Sequence, residues 1–225
     1  MNHSIEPPIP GIDDASEMSP KELTYLYDPL CGWCYGAMPA LEALRIGVRI
    51  TFVPTGLFAG ARAMDANFAA YAWENDRRIA ALTGQPFSEL YREQVLRPGT
   101  AFDSTAATRA LVAVGVEAPE RLFAAFKAIQ HARYVDGRDT SVAQEVAAVL
   151  DGIGLSAPAA RFVAADPDIL AATRDQVTTG RRLMTTYGAR GVPTVILSTD
   201  DGDRLLPSQL LYGDRETLLR QLDLA

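Results

Sequence analysis

The sequence predicts an α/β fold in which a β-α-β unit and a β-β-α unit are separated by a large all-helical insertion. Three observations predict this architecture. Near the start of the chain, two strand-like runs enclose a helical pattern within residues 23–54. A long stretch then repeats apolar residues near the helical period. Strand-like residues return only at Gly191.

The first unit begins with "LTYLYD" (Leu23 to Asp28), an aromatic and aliphatic run that is typical of a buried strand and ends at Pro29. A helical pattern follows from Cys31 to about Leu44. The segment "VRITFVP" (Val48 to Pro54) alternates apolar and polar residues, which indicates a second strand. The length of the crossover favours a parallel pair of strands.

Five helices are predicted in the insertion, because each segment repeats apolar residues near every 3.6 positions and most begin at Asp, Ser or Pro or end at Gly. The segments are "NFAAYAWENDRRIAALTG", "DSTAATRALVAVG", "PERLFAAFKAIQHARYV", "SVAQEVAAVLDGIG" and "PDILAATRDQVTTGRRLMTTYG". After them, "GVPTVIL" (Gly191 to Leu197) and a run near Leu205 and Leu206 predict two strands, and "DRETLLRQL" predicts a closing helix.

The domain organisation follows from this order of elements. Neither strand-containing half could cover its own sheet, so we expect residues 23–55 and 186–225 to pair into one α/β domain. Residues 56–185 then form the helical insertion. Residues 1–22 are predicted to be a flexible leader, because they are rich in proline and acids and lack a continuous apolar run.

Composition disfavours several classes of function. The chain has 225 residues and a net charge of −7, which opposes binding to phosphate groups, so neither nucleic acid nor an anionic membrane is expected as a partner. No run of about 18 consecutive apolar residues occurs, so no membrane span is expected. The N-terminal segment lacks the basic start and apolar run of a secretory signal, which favours a cytoplasmic location.

The two cysteines of the chain, Cys31 and Cys34, lie together in "YDPLCGWCYG", and three interpretations compete for them. Structural zinc needs four nitrogen or sulfur ligands, and the two histidines, His3 and His131, are both distant in sequence, so no metal site is expected. A structural disulfide would close too short a loop to remove much chain entropy, and a reducing cytosol disfavours it. A redox-active pair fits best.

The position of the motif at the start of a helix explains why it would be reactive. A Cys31 thiolate would face unpaired backbone N–H groups and the positive end of the helix dipole, which both stabilise the nucleophilic form. Cys34 lies one turn further on and should be more buried. We therefore predict that Cys31 attacks or is attacked, and that Cys34 resolves the mixed disulfide. Gly32 should leave the approach to Cys31 open, and Trp33 should be an exposed aromatic on which a bound polypeptide stacks.

The chain resembles the thioredoxin superfamily, and within it the DsbA-like thiol-disulfide oxidoreductases with a helical insertion. "CGWC" begins a helix after the first strand, and Pro39 stands where a proline kinks this helix in thioredoxin. "RGVPTVIL" (Arg190 to Leu197) resembles the cis-proline loop and the following strand. "YDPLCGWCYG", "FDSTAATRA" and "ARYVDGRD" are most similar to a bacterial group described as predicted disulfide isomerases. The resemblance spans about Leu23 to Leu222 and implies a thioredoxin-like fold for the α/β domain.

The resemblance also implies a role for the GVPT loop. In the family the proline at the position of Pro193 is cis and packs against the disulfide. Val192 would then offer backbone groups to an extended substrate strand, a pairing that tolerates many sequences. Thr194 lies at the loop edge and is expected to face the dithiol. The resulting substrate-binding set is Trp33, Val192, Pro193 and Thr194.

One position departs from the family pattern. Thioredoxin and DsbA carry a buried acid on the first strand, six residues before the first cysteine, and Tyr25 stands there instead. Asp28 is the nearest acid, but its place at the end of a strand predicts partial exposure. The proton-accepting role therefore has no assigned residue, and a turn-forming or helix-starting role is favoured for Asp28.

These features predict an enzyme, a reductase- or isomerase-type thiol-disulfide oxidoreductase that acts on disulfides of proteins, peptides or small thiols. No cofactor besides the Cys31–Cys34 pair is expected, and glutathione is a candidate electron partner. Two alternatives stay open: a glutathione-dependent transferase or isomerase of a related fold, and a non-enzymatic chaperone-like binding module. The sequence does not determine the redox direction, the natural substrate or the oligomeric state.

Overall fold

The computed structural model describes residues 22–222, so the predicted leader lies outside the described residues except for Glu22. The described part of the chain contains six strands and ten α-helices. The strands are β1 (Glu22–Tyr27), β2 (Arg49–Pro54), β3 (Arg62–Ala63), β4 (Ala101–Phe102), β5 (Thr194–Thr199) and β6 (Gly202–Leu206). The helices are α1 (Gly32–Gly36), α2 (Met38–Leu44), α3 (Ala66–Thr83), α4 (Glu89–Gln94), α5 (Thr105–Glu117), α6 (Leu122–Tyr134), α7 (Ala143–Gly152), α8 (Ser156–Val163), α9 (Pro167–Thr186) and α10 (Arg215–Gln221).

Four strands form the central sheet in the order β2-β1-β5-β6. β1 runs parallel to β2 and antiparallel to β5, and β6 pairs antiparallel with β5. The two distant parts of the chain therefore share one sheet, which confirms the predicted pairing of the β-α-β and β-β-α units. β1 has a neighbour on each side, and the cysteine motif follows directly from this central strand.

The helix predicted from Cys31 to Leu44 is broken at Ala37, and the prediction of one continuous helix is wrong there. Pro39 has no N–H, so it cannot donate to the carbonyl of Tyr35 one turn earlier. The side chain of Gln85, from the helical insertion, donates to that carbonyl at 3.0 Å. The break near the motif is thus also a point at which the insertion is attached to it.

All five predicted helices of the insertion are present, but four elements were missed. β3 and β4 form a separate two-stranded sheet, and α4 and α8 are short helices. A strand of two residues is too short to show an alternation of apolar and polar residues. Each short helix contains less than three turns, which is too few to show the helical period of apolar residues. These elements depend on their tertiary neighbours.

One continuous apolar core joins the insertion to the sheet. The ring of Tyr27 on β1 lies 4.5 Å from that of Phe126 on α6. α9 packs against the end of β2 so closely that a Cβ added at Gly180 would lie 2.3 Å from the carbonyl oxygen of Pro54. Because the core is shared and α9 crosses residue 185, the division at 55/56 and 185/186 stays a prediction.

Candidate active site

Cys31 and Cys34 lie at the start of α1 in unlike surroundings. Both are free thiols. Cys31 directly precedes α1 and is 7% exposed, whereas Cys34 is fully buried. The sulfur of Cys31 lies 3.4 Å from the carbonyl oxygen of Val192, a residue that is 161 positions away in the sequence. Cys34 is therefore the more buried of the two, as the helical spacing predicts.

The thiol of Cys34 retains its proton more strongly than an ordinary cysteine. Burial raises its pKa well above the usual value, and its S–H raises the pKa further by donating to the sulfur of Cys31. The backbone N–H of Asp28 donates to the Cys34 sulfur and opposes this shift. The thiol of Cys34 is thus in hydrogen-bonding contact with the sulfur of Cys31.

The GVPT loop has the conformation that the resemblance implies. The Val192–Pro193 peptide bond is cis, and Pro193 is buried. The hydroxyl of Thr194 donates to the carbonyl of Gly191 at 2.7 Å, so it bonds within its own loop rather than to either cysteine. The backbone of Val192 is the part of the loop that meets Cys31.

A cleft of about 740 Å³ runs between the motif and this loop. Its lining includes Trp33, Leu82, Arg190, Gly191, Val192, Pro193, Thr194, Ser208, Gln209, Tyr212 and Gly213. Trp33 is half-buried, which corrects the expectation of an exposed aromatic. Its ring lies 5.0 Å from that of Tyr212, whose hydroxyl donates to the carbonyl of Trp33 at 3.2 Å.

The sequence of the chain matches a known family. The model of the DsbA-like thioredoxin domain matches residues 22–215. This chain belongs to the DsbA-like thioredoxin family. A comparison with curated protein sequences found no match.

Solved structures agree with this assignment. The chain is 34% identical to the cytosolic disulfide reductase DsbM from Pseudomonas aeruginosa, with a TM-score of 0.80, covering 91% of this chain and 100% of that one. A structure of the same reductase with GSH is 32% identical, with a TM-score of 0.76 and coverages of 90% and 99%. A predicted protein disulfide isomerase from Nitrosomonas europaea shares the fold, at 24% identity, a TM-score of 0.75 and coverages of 91% and 97%. The protein is a DsbA-like thiol-disulfide oxidoreductase, and hence an enzyme.

Tyr25 occupies the place of the buried acid in related DsbA-like enzymes. Burial raises its pKa well above the usual value, and the charges of Cys34, Tyr212 and Cys31 raise it further. Its hydroxyl donates to the carbonyl of Cys34 at 3.4 Å. A phenol in this state keeps its proton near neutral pH, so Tyr25 cannot replace the missing acid as a base.

Asp28 is fully buried, so the expectation of partial exposure is wrong. One carboxylate oxygen accepts from the backbone N–H of Leu30 at 3.0 Å, and the other accepts from the N–H of Phe58 and the hydroxyl of Ser104, at 3.0 and 2.8 Å. Burial raises its pKa, although these hydrogen bonds and Arg133 oppose the shift. Asp28 therefore ties the turn before α1 to the insertion.

Gly32, between the two cysteines, is partly exposed, but helix α3 occupies the side on which a side chain would stand. A Cβ added to Gly32 would lie 2.4 Å from Oδ1 of Asp76 and 3.1 Å from the side chain of Ile79. Oδ2 of Asp76 accepts from the hydroxyl of Tyr91 at 2.9 Å. Burial raises the pKa of Asp76 to about 7, opposed by the Tyr91 hydrogen bond and the charge of Arg133.

Arg133 places a positive charge inside the insertion. It is fully buried, and its nearest ion-pair contact is Asp139 at 3.9 Å. Its guanidinium lies 5.7 Å from the ring centre of Tyr91, 5.6 Å from that of Phe102 and 6.0 Å from that of Tyr134. Arg133 also lowers the pKa values of Asp28 and Asp76, so it acts on both buried carboxyls.

Sequence reasoning missed Asp76 and Tyr212. Asp76 had a readable signal, because it lies on the apolar face of α3 with Ala69, Trp73 and Ile79, at spacings of three and four residues. A carboxyl in that position is either buried or on the edge of the face, and only the packing of α3 distinguishes the two. Tyr212 lies outside the apolar periodic segments and had no such signal.

Between residues 22 and 222, no group of three or more His, Cys, Asp or Glu side chains is arranged to hold a metal ion. No helix in that range is both long and apolar enough to cross a bilayer. His131 is exposed, lies 3.4 Å from Asp136 and is not part of the cleft lining, while His3 is outside the described residues.

Proposed function

We propose that the protein is a cytosolic disulfide reductase in which Cys31 and Cys34 pass electrons from glutathione to disulfides of protein or peptide substrates. The observation that carries the proposal is the placement of the Cys31 sulfur, 3.4 Å from the Val192 carbonyl at the cleft, with the protonated Cys34 in contact behind it. The 34% identity to a cytosolic disulfide reductase, and the GSH-containing structure of that relative, support the direction and the donor.

The first step is attack by the Cys31 thiolate on a substrate disulfide. A bond forms between the Cys31 sulfur and one substrate sulfur while the substrate disulfide breaks, and the other substrate sulfur leaves as a thiolate. The leaving thiolate takes up a proton. Cys34 is too buried and too firmly protonated to compete as the attacking group.

The second step releases the substrate. Cys34 loses its proton and attacks the sulfur of Cys31, which forms the Cys31–Cys34 disulfide and expels the second substrate thiol. Two electrons have then passed from the enzyme to the substrate. Two glutathione molecules restore the dithiol: one attacks Cys31 to form a mixed disulfide, and the second displaces it as glutathione disulfide.

The cleft accounts for substrate binding without strict sequence selection. The backbone of Val192 can pair with an extended substrate segment, since main-chain hydrogen bonds do not depend on side-chain identity. Trp33 and Tyr212 supply an aromatic wall beside the sulfur. Arg190, exposed on the cleft rim, can attract the carboxylates of a small peptide such as glutathione.

The test compares the two cysteine variants in glutathione-coupled reduction of a protein disulfide. Cys31→Ala should reduce turnover by at least about a hundredfold, because the attacking sulfur is lost. Cys34→Ala should retain the first step and accumulate a mixed disulfide that mass spectrometry detects after acid quenching. Retained turnover in Cys31→Ala would falsify the proposal.

The same variants separate the alternatives. A glutathione-dependent transferase would keep its activity in Cys34→Ala, because one thiol suffices for that chemistry. A chaperone-like module would suppress aggregation equally well with both cysteines replaced. The contact between the two sulfur atoms favours the reductase, since neither alternative uses the second thiol.

A further inference from the structure

The insertion places a carboxyl group directly against the CGWC motif. Asp76 is 5% exposed, and its Oδ1 would be 2.4 Å from a Cβ at Gly32, the residue that follows Cys31. Its other oxygen is fixed by the hydroxyl of Tyr91. The carboxyl is therefore held in one place by α3 and α4, at the N-terminal turn of α1 where a Cys31 thiolate would carry its charge.

The groups that face Asp76 come from three elements. Tyr91 lies on α4, Arg133 and Tyr134 lie on α6, and Cys31 lies beyond Gly32 at the start of α1. The charges of Asp76 and Cys31 both raise the pKa of Tyr134, so both lie within electrostatic range of one phenol. Burial brings the pKa of Asp76 to about 7 despite Arg133, so this carboxyl gains its charge close to neutral pH.

This charge opposes formation of the reduced enzyme. Reducing the Cys31–Cys34 disulfide to a Cys31 thiolate and a Cys34 thiol takes up two electrons and one proton, and it adds one negative charge beside Gly32. An ionised Asp76 repels that charge, and the repulsion is strong because the surroundings are buried and exclude water. The disulfide form carries no charge and is not affected in this way.

We propose that the Asp76 carboxylate, held against Gly32 by helix α3, lowers the reduction potential of the Cys31–Cys34 pair and so favours the reducing direction of exchange. Asp76 acts through its charge and does not touch a reacting sulfur, so it is a positioning residue. The inference deepens the proposed reductase function and rests on it for its biological meaning. The insertion would thus supply a charge whose usual place in the family, on the first strand, is taken by Tyr25.

The test measures the equilibrium between the enzyme dithiol and a dithiothreitol buffer at pH 5.5 and pH 8, for the full chain and two variants. At pH 8, the equilibrium constant for reduction by dithiothreitol should be about tenfold larger for Asp76→Asn than for wild type. This factor corresponds to a reduction potential that is about 30 mV higher in the variant. At pH 5.5, where Asp76 is protonated, the two proteins should agree within about twofold. Glu74→Gln, the same charge change on an exposed position of α3, should match wild type at both pH values.

Two results would overturn the inference. Asp76→Asn could leave the potential unchanged at pH 8, or it could shift the potential equally at both pH values, as a merely structural change would. Neither result affects the proposed reductase function, which is lost instead if wild type fails to exchange with glutathione or if Cys31→Ala stays active. Because dithiothreitol is the buffer, the potential is measured whether or not glutathione is the natural donor.

A second variant tests the inference without removing the carboxyl. The Tyr91 hydroxyl lowers the pKa of Asp76 by donating to the carboxylate. A plot of the wild-type reduction potential against pH should change slope where Asp76 titrates. Tyr91→Phe should shift this change of slope to a higher pH and leave the potential at pH 5.5 unchanged. If the slope in Tyr91→Phe changes at the same pH as in wild type, the inference is contradicted even if Asp76→Asn fails to fold.

Discussion

The two sides of the CGWC motif differ in almost every physical property. On the cleft side, Trp33, the cis-proline loop and Tyr212 line an open space, with one cation, Arg190, at its rim. On the insertion side, α3 packs the buried Asp76 against the motif, and the buried Arg133 of α6 lies within electrostatic range of that carboxyl. The open side suits a binding surface for many substrates. The closed side suits electrostatic control, because charges act more strongly where water is excluded.

The largest expected effect that would distinguish the two sides is a pH dependence of stability that originates on the insertion side. Asp76 has a pKa of about 7 in the folded protein and about 3.8 when unfolded, so the folded state binds the extra proton between these values. The free energy of unfolding should therefore be highest at low pH within this window and fall by roughly 3 kcal/mol as pH rises to about 7.

Urea unfolding at pH 4.5, 6 and 7.5 checks this dependence. Asp76→Asn should remove the part of the slope that Asp76 contributes, leaving the contribution of Asp28, whose pKa is also raised by burial. Glu74→Gln is the matched control and should keep the wild-type slope. Equal slopes in wild type and Asp76→Asn would show that the insertion side carries no titrating charge.

The second effect is steric, and one substitution can be made on both sides of the motif. Gly32→Ala should lower the free energy of unfolding by about 1–3 kcal/mol, because its methyl group would overlap Oδ1 of Asp76. Gly191→Ala, on the cleft side, has no atom within 4 Å of the new Cβ and should change stability by less than about 0.5 kcal/mol.

Denaturant unfolding of both variants at one pH makes the comparison. The double variant Gly32→Ala/Asp76→Ala should recover part of the loss, because the two single changes involve touching groups and are not additive. Equal stability losses in Gly32→Ala and Gly191→Ala would mean that the two sides are packed alike.

A smaller effect is expected from the hydrogen bond that holds the aromatic wall of the cleft. Tyr212→Phe removes the donor to the Trp33 carbonyl and should cost about 1 kcal/mol of stability. Tyr71→Phe changes the same group on a side chain that is 67% exposed, and it should leave stability unchanged. Thermal unfolding of the two variants would show a lower Tm in Tyr212→Phe alone if the wall is held in this way.

The smallest effect concerns the charge on the cleft rim. Arg190→Gln should raise KM for glutathione about two- to threefold, with kcat unchanged, because an exposed charge pair contributes about 0.5 kcal/mol. The increase should vanish at high salt. Arg182→Gln, an exposed change on α9 outside the cleft lining, is the control, and an equal rise in KM there would point to net charge rather than to the rim.

The central sheet was predictable because its signals are local. Three short patterns each predict one strand within a few residues: the alternation in "VRITFVP", the apolar run before Pro29 and the GVPT segment. The break at Ala37 was not predictable, because it forms where Gln85, a residue distant in sequence, donates to the carbonyl of Tyr35. The pairing of the two halves into one sheet was predicted from the need of each half to be covered, whereas the order β2-β1-β5-β6 is known only from the structure.

The site divides in the same way. The sequence placed both cysteines in one compact motif, and the family resemblance implied the cis bond at Pro193. It misjudged the exposure of Asp28 and Trp33, because exposure depends on chain segments far away: Ser104 and Phe58 cover Asp28, and Tyr212 covers one face of Trp33. It gave no role to Asp76, although the position on an apolar helix face was visible.

The sequence by itself determined the dithiol, the class of fold and the chemistry of exchange, because these depend on residues that are adjacent in the chain and on hydrophobic periodicity. Only the tertiary structure decided which charges surround that dithiol. Asp76, Arg133 and Gly32 come from separate helices, and the free energy of a buried charge depends on the distance to its neighbours and on the water excluded around it. Both quantities arise from packing between helices, which no local pattern encodes.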